Sequence, residues 1–230
     1  MPDIFDASKD KVYKDKVRDF VKKRLSPLEA VDHYSEVMRR EESSRNPFDS
    51  YAPKPLMVYS FDSQLDDECV LLLLRKHPIT QVGKVLISIA LLIMPMFFSY
   101  VDFYGALAWN FQTAIKLFWY LITAGYALES FLTWFYNVYI VTDERIIDID
   151  FLSLIYRNFS AAKLDKIEDI TAVNSGVIQS LFDFGTVQIQ TAAERTEFEF
   201  EDVPYPTKVT QFLNEMLVEE EREKLEGRVK

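Results

Sequence analysis

Residues 85–101 read VLISIALLIMPMFFSYV, and no position in this stretch carries a charged side chain. About 20 predominantly apolar residues are needed for a helix to cross the hydrocarbon core of a bilayer. The stretch reaches that length when it is extended back to Val82. It therefore predicts a first transmembrane helix over residues 82–101.

A second apolar stretch follows closely, because Glu129 is the only charged residue between Lys116 and Asp143. It predicts a second transmembrane helix over 113–135, joined to the first in a helical hairpin over 82–135. The alternative is a pair of buried core helices, but a chain of 230 residues has no second layer to cover two such helices. A cleaved signal peptide is excluded because the first stretch begins far from the N-terminus.

Lysine and arginine residues in the short flanks of membrane helices indicate their orientation, since these residues concentrate on the cytoplasmic side. The connector 102–112 contains neither residue type, whereas five such residues lie at the other ends of the two helices: Arg75, Lys76, Lys84, Arg145 and Arg157. We therefore predict a multi-pass protein of the cytoplasmic membrane with both termini in the cytoplasm.

The N-terminal residues 1–42 show the spacing of two amphipathic helices, and Ser26-Pro27-Leu28-Glu29 has the pattern that starts the second one. Residues 9–24 hold eight basic and three acidic side chains, a net charge of +5. The first helix could therefore lie on an anionic membrane surface, or it could be a solvated helix that packs on the second. Residues 43–55 read as a proline-rich linker, and residues 56–81 as a juxtamembrane segment.

Beyond the hairpin, apolar and polar residues alternate with a period of two, which is typical of half-buried strands. The predicted strands are 137–142, 145–151, 154–159, 168–174, 186–191 and 197–201, with a tight turn at Thr142–Arg145. A closing helix follows, with one apolar face made of Val209, Phe212, Leu213, Met216 and Leu217. The chain is thus an α+β membrane protein in which residues 136–217 form a small antiparallel β-barrel with a C-terminal helix, and residues 218–230 form a charged helical tail.

Several segments together resemble the bacterial pleckstrin-homology-like (PH-like), membrane-flanked domain family. They are DDECVLLLLRKHPIT at 66–80, YNVYIVTDERIIDID at 136–150, KLDKIEDITAV at 163–173, FDFGTVQIQTA at 182–192 and VPYPTKVTQFLNEM at 203–216. The resemblance covers about residues 60–217. It implies a PH-like domain at a bacterial inner membrane, and it assigns no chemistry to the chain.

No pattern for catalysis or cofactor binding accompanies these segments. The six glycines are too scattered for a phosphate-binding loop, and the two histidines and the single Cys69 do not have the spacing of a metal site. Glu197, Glu199 and Glu201 alternate along a strand, where such positions lie about 6.7 Å apart, too far for three carboxylates to converge on one ion. We expect no enzymatic activity, no cofactor and no metal.

These observations predict a membrane-anchored PH-like interaction or scaffold module at the cytoplasmic face. The alternative is an oligomeric membrane transport or channel component, because an intramembrane carboxylate such as Glu129 is a functional candidate. In an antiparallel hairpin whose tip lies midway between the spans, Lys84 and Glu129 share a depth, so we predict an ion pair between them. The expected partners are the lipid bilayer and either other proteins or further copies of the chain, and not nucleic acid.

The predicted C-terminal domain is strongly acidic. Residues 136–217 contain six lysines and arginines against fourteen aspartates and glutamates, a net charge of −8. An anionic leaflet attracts basic residues and repels acidic ones. We therefore expect no specific binding of anionic lipid headgroups by this domain.

Overall fold

The structure, a computed structural model, describes residues 31–55, 64, 68–100, 102–151, 157–192 and 197–226. The first predicted N-terminal helix and the start pattern at 26–29 lie outside these residues. Residues 31–34 are helical, and helix α1 follows at Glu36–Arg40. The Ser35 hydroxyl caps this helix by accepting from the Met38 N–H, as hydroxyl side chains at helix starts commonly do.

The hairpin region is helical almost throughout. It consists of a 3-10 turn at Pro78–Gln81, α2 at Val82–Ile93, a 3-10 segment at Met94–Tyr100, α3 at Asp102–Gly105 and α4 at Trp109–Tyr136. The first predicted span is α-helical only as far as Ile93, because Pro95 has no N–H to donate and its ring crowds the preceding turn.

One helix among the described residues is long and apolar enough to cross a membrane. It runs over Pro78–Tyr100, and its most apolar 18-residue window has a mean hydropathy of 2.1 and is only 6% buried. Helix α4 is longer, at 28 residues, but does not meet the same hydropathy criterion. Membrane association is thus supported through one candidate span, and the two-span arrangement stays a prediction.

The first sheet has five antiparallel strands in the order β1-β2-β3-β4-β5. Their bounds are Tyr51–Pro53, Val70–Leu74, Val138–Thr142, Arg145–Phe151 and Arg157–Lys163. Strands β1 and β2 lie in the segments predicted to be linker and juxtamembrane. Strand β2 pairs with β3, with Leu73 opposite Ile140, so the hairpin is an insertion between two neighbouring strands of one sheet.

The second sheet has three antiparallel strands in the order β6-β7-β8, at Ile167–Val173, Phe184–Thr191 and Glu197–Pro204. A short helix, α5, spans Val177–Phe182 between β6 and β7. The predicted small β-barrel does not close: among the described residues, no strand of one sheet pairs with a strand of the other. A 3-10 turn at Leu164–Lys166 separates β5 from β6, so the chain leaves the first sheet before it enters the second.

The C-terminal helix α6, at Pro206–Glu226, packs against the second sheet and completes the core. Val209, Phe212 and Leu213 are fully buried and Met216 is 3% exposed, while Leu217 packs at the margin, which confirms the predicted apolar face. These side chains join residues of both sheets in one hydrophobic cluster. Val31 and Met38 belong to the same cluster, so the described N-terminal residues are part of this core.

Candidate functional site

The hairpin turns its apolar side chains outward. Large apolar residues of α2 and α4 are strongly exposed, among them Leu86, Leu92, Leu117, Phe118 and Leu121, each between 56% and 66%. Soluble proteins rarely expose contiguous apolar patches of more than a few hundred Å². Two neighbouring helices that both do so have the surface expected of helices in lipid.

The contact between the two helices is comparatively polar. Less exposed positions recur at spacings of three and four, at 81, 84, 88, 91, 95 and 98 in the first arm and at 112, 116, 119, 123, 126 and 130 in the second. Several of them are small or polar, such as Ser88, Thr123 and Ser130. This distribution is the inverse of an amphipathic helix in water, and small or polar residues at helix contacts are typical of membrane proteins.

One hydrogen bond across the hairpin repairs a break in the first arm. Proline at position 95 supplies no N–H, so the Leu91 carbonyl four residues earlier lacks its helical donor. The indole N–H of Trp119 donates to this carbonyl at 2.8 Å. The Trp119 ring also meets Phe98 edge-on, with the ring centroids 5.4 Å apart. In lipid, where no water can replace the missing donor, this bond would fix the register of the two arms.

A set of residues that we call the junction joins the hairpin to the sheets: Arg75, Lys76, His77, Trp134, Phe135, Glu201 and Asp202. Arg75 is 3% exposed, and its guanidinium donates to the carbonyls of Phe135 and Asp49, both at 3.0 Å. Phe135 is in the last turn of α4, where carbonyls lack helical partners and attract cations. The Trp134 indole donates to the Lys76 carbonyl at 2.8 Å. Both arms of the hairpin are therefore tied to the end of β2.

The junction also contacts the second sheet. Lys76 forms an ion pair with Glu201, and the His77 N–H donates to the Asp202 carbonyl at 2.7 Å. The His77 imidazole accepts from the Ile79 N–H and stacks on Phe184, with centroids 5.0 Å apart. Burial lowers the pKa of His77, and a weaker effect from Asp202 opposes this shift. The second sheet therefore contacts the base of the hairpin at several points, and the hairpin and the domain are not joined by the backbone alone.

A second buried polar cluster fastens the start of β2 to the β3–β4 turn. The Glu68 side chain is fully buried, and its carboxylate accepts two hydrogen bonds from Arg145, each at 2.8 Å. The Thr142 hydroxyl donates to the same carboxylate at 2.8 Å. Asp143 accepts from the Cys69 N–H at 2.8 Å, and burial raises the pKa of Asp143 to about 6. The predicted turn at Thr142–Arg145 is confirmed, but sequence reasoning did not find its partner Glu68.

Comparison with known families supports this architecture of two antiparallel sheets and a C-terminal helix. The sequence model of the family described as "Bacterial PH domain" matches residues 78–217, which is more than half of the chain. The protein belongs to the bacterial PH domain family. The predicted resemblance is thereby confirmed. Comparisons with curated proteins and with solved structures found no match.

The structure extends the PH domain upstream of the matched residues. Strand β2 and residues 31–55 precede position 78, yet β1 and β2 complete the first sheet, and Val31 and Met38 lie in the core. Residues 31–40 are held to α6 as well, where the Ser35 hydroxyl and the Val37 N–H both donate to Glu215. The PH domain of this chain therefore includes segments on both sides of the hairpin.

Lys84 and Glu129 do not form an ion pair within 4.0 Å among the described residues. Lys84 is half-buried and Glu129 is exposed. Position 84 is one of the contact positions of the first arm, whereas position 129 is not one of those of the second arm. The predicted pair stays a prediction.

The hairpin carries a groove of about 750 Å³. Its walls include Val85, Ile89, Ala124, Ala127 and Phe131.

Within the described part of the chain, no group of three histidine, cysteine, aspartate or glutamate side chains is placed to hold a metal ion. Glu199 hydrogen bonds to Gln188 at 3.0 Å and Glu201 pairs with Lys76, so these two carboxylates are engaged separately.

Proposed function

We propose that this protein is a membrane-anchored PH domain that acts as an interaction or scaffold module and performs no chemistry of its own. The observation that carries the proposal is the insertion of an outward-apolar hairpin between β2 and β3 of the domain's own sheet. Because both arms are tied to the junction, the domain cannot move away from the hairpin. A domain held in this way is suited to collecting partners at a membrane surface.

We further propose that the hairpin crosses the bacterial inner membrane twice and that both termini are cytoplasmic. The lysine and arginine bias of the flanks supports this orientation. A reporter that is active only outside the cytoplasm tests it. The fusion near Gly105 is expected to give signal, and fusions after residue 55 and at residue 230 are expected to give none. Signal from residue 55 or 230 would refute the topology.

The chemistry of the domain favours protein as the partner. Strand β5 lies at the end of the first sheet, so one of its edges is open among the described residues, and a partner strand can add to such an edge. Phe159 on this strand is 47% exposed and supplies an apolar contact. A photo-crosslinking side chain at Phe159, tested in intact membranes, is expected to capture a protein. The matched position is Gln188, on the central strand of the second sheet, where no capture is expected. Equal capture at both positions would argue against the edge.

We expect no specific binding of anionic headgroups, because the domain has a large excess of acidic residues. The full chain in nanodiscs should show the same hydrogen-exchange protection in zwitterionic lipid and in lipid rich in anionic headgroups. Salt-sensitive protection of the basic positions Lys163 and Lys166 only in anionic lipid would contradict this expectation.

The second candidate function is an oligomeric transport component. The exposure of Glu129 on the hairpin favours it, because a carboxylate at membrane depth is stabilised by a neighbouring subunit or by water. Measurement of the oligomeric state together with ion flux in liposomes separates the two functions. Flux that is lost in Glu129→Gln would favour transport, whereas a flux-free protein favours the interaction module.

A further inference from the structure

Helix α5, which we call the wedge, exposes apolar side chains that no described residue covers. Val177 is 86% exposed, Ile178 61%, Leu181 75% and Phe182 48%. In a helical turn, positions i, i+1, i+4 and i+5 share one side. The four apolar residues of the wedge therefore form one continuous face that points away from the domain.

The polar side of the wedge is fixed to the domain. Gln179 accepts from the Ser175 N–H at 2.7 Å and donates to the Asp202 carboxylate at 3.2 Å. Asp183 ends the helix in the left-handed conformation, with a φ of 50°, and its carbonyl accepts from the Tyr205 N–H at 2.8 Å. Gly185 permits the close return of the chain, because a Cβ there would lie 2.7 Å from the Val173 carbonyl oxygen. The exposed face is thus presented by a braced loop.

The wedge lies next to the start of the first hairpin arm. Asp202 binds Gln179 through its side chain and the His77 N–H through its carbonyl. His77 caps the 3-10 turn that begins at Pro78, the first residue of the candidate membrane span. Phe184, two residues after the wedge, stacks on His77. Two hydrogen bonds therefore connect the wedge to the level at which the hairpin leaves the domain.

We propose that the wedge inserts into the acyl-chain boundary of the same leaflet and forms a second membrane contact that sets the tilt of the PH domain. This inference rests on the proposed function, since it takes the hairpin to be in the bilayer. Short helices with an apolar face bind at the boundary between lipid headgroups and acyl chains by burying that face. Residues 174–183 contain no lysine or arginine and one acidic residue, so the contact depends on apolar insertion and not on headgroup charge.

A bilayer fits this face better than a protein partner does, because the wedge is connected to the start of the hairpin. A partner protein would have to approach the wedge beside the outward-apolar surface of α2, in the space that lipid occupies. The rest of the domain is acidic, so an anionic membrane surface would not attract it by charge. A membrane contact of this domain is therefore made through an apolar surface such as the wedge. A fixed tilt would in turn hold the β5 edge at a constant height above the membrane.

The test is quenching of a cysteine-linked fluorophore by brominated acyl chains in proteoliposomes of the full chain. Single cysteines are placed in a Cys69→Ala background at three positions: Ile178→Cys in the wedge, Leu86→Cys in the hairpin and Val218→Cys on α6. Val218 is the matched control, because it is also apolar and is 67% exposed. Quenching at Ile178 is expected to reach at least half of that at Leu86, to be absent at Val218 and to be insensitive to salt.

The outcomes separate the two proposals. Quenching at Leu86 without quenching at Ile178 overturns the wedge and leaves the membrane anchor standing. Absence of quenching at Leu86 overturns the anchor and the wedge together. Equal quenching at Ile178 and Val218 also overturns the wedge, because the fluorophore would then be seeking the bilayer by itself. Crosslinking of Ile178 to a second copy, without quenching, would assign the face to self-association instead.

Discussion

The buried pair of Glu68 and Arg145 offers the sharpest test of the architecture, because it joins the segment before the hairpin to the domain after it. The perturbation is Glu68→Ala. It removes a carboxylate whose side chain is fully buried and leaves the guanidinium of Arg145, which is 19% exposed, without this partner. The Thr142 hydroxyl loses an acceptor in the same step.

The magnitude follows from the burial of the two partners. Removing one member of a buried ion pair destabilises a protein by about 3–5 kcal/mol. Since Arg145 retains some access to water, the expected loss lies near the lower end, at about 3 kcal/mol. Arg145→Met should be more damaging, because it leaves a carboxylate with no exposure at all. The matched control is Glu41→Ala, which breaks an exposed pair with Lys208 at 2.7 Å and should lose about 1 kcal/mol or less.

Hydrogen exchange of the full chain in detergent micelles measures these effects in the relevant strands. A loss of about 3 kcal/mol corresponds to an exchange rate about a hundredfold faster, provided that exchange passes through opening of the domain. The amides of β3 and β4 are expected to show this change in Glu68→Ala and little change in Glu41→Ala. Similar protection in the two variants would refute the conclusion that the residues before the hairpin are an integral part of the PH domain.

Three further predictions concern the hairpin and the β3–β4 turn. Trp119→Phe keeps the ring packing but removes the donor to the Leu91 carbonyl, so detergent-induced unfolding of the hairpin should become easier by about 1 kcal/mol; an unchanged midpoint would show that the bond is dispensable. Because burial raises the pKa of Asp143 to about 6, the folded state binds more protons than the unfolded state between about pH 4 and pH 6, and stability should fall as the pH rises through this range. Asp143→Asn should flatten that slope in a series of melting temperatures, and a slope that persists would assign it to another group. If Lys84 and Glu129 pair in the bilayer, then Glu129→Gln and Lys84→Gln should each destabilise the hairpin and the double variant should lose little more than either alone, whereas additive losses would show that the two charges act separately.

Much of this fold is determined by the sequence itself. The uncharged run at 85–101 is a local feature, so the long apolar helix of the first arm follows from it. The alternation in 145–151 and the spacing of Val209, Phe212 and Leu213 are local periodicities, so strand β4 and helix α6 follow from them. Strand β5 runs to Lys163, beyond the predicted strand 154–159. The β3–β4 turn is likewise local, since Thr142 and Arg145 are close in sequence.

Only the tertiary structure decided which distant segments share a sheet and a core. Strand β2 is a continuous apolar run, LLLL at 71–74, which periodicity cannot distinguish from the start of a membrane helix. Its pairing with β3, across residues 75–137 that contain the hairpin, depends on packing energies that no local pattern records. The hydrogen bonds of Arg75 to carbonyls of two other segments are likewise not predicted by any local pattern. The wedge, too, is visible in the sequence only as a short apolar turn. Among the described residues the two sheets stay open, because the chain passes from β5 to β6 without pairing these strands and α6 fills the core. That outcome is set by how side chains pack together in three dimensions, not by the strand pattern.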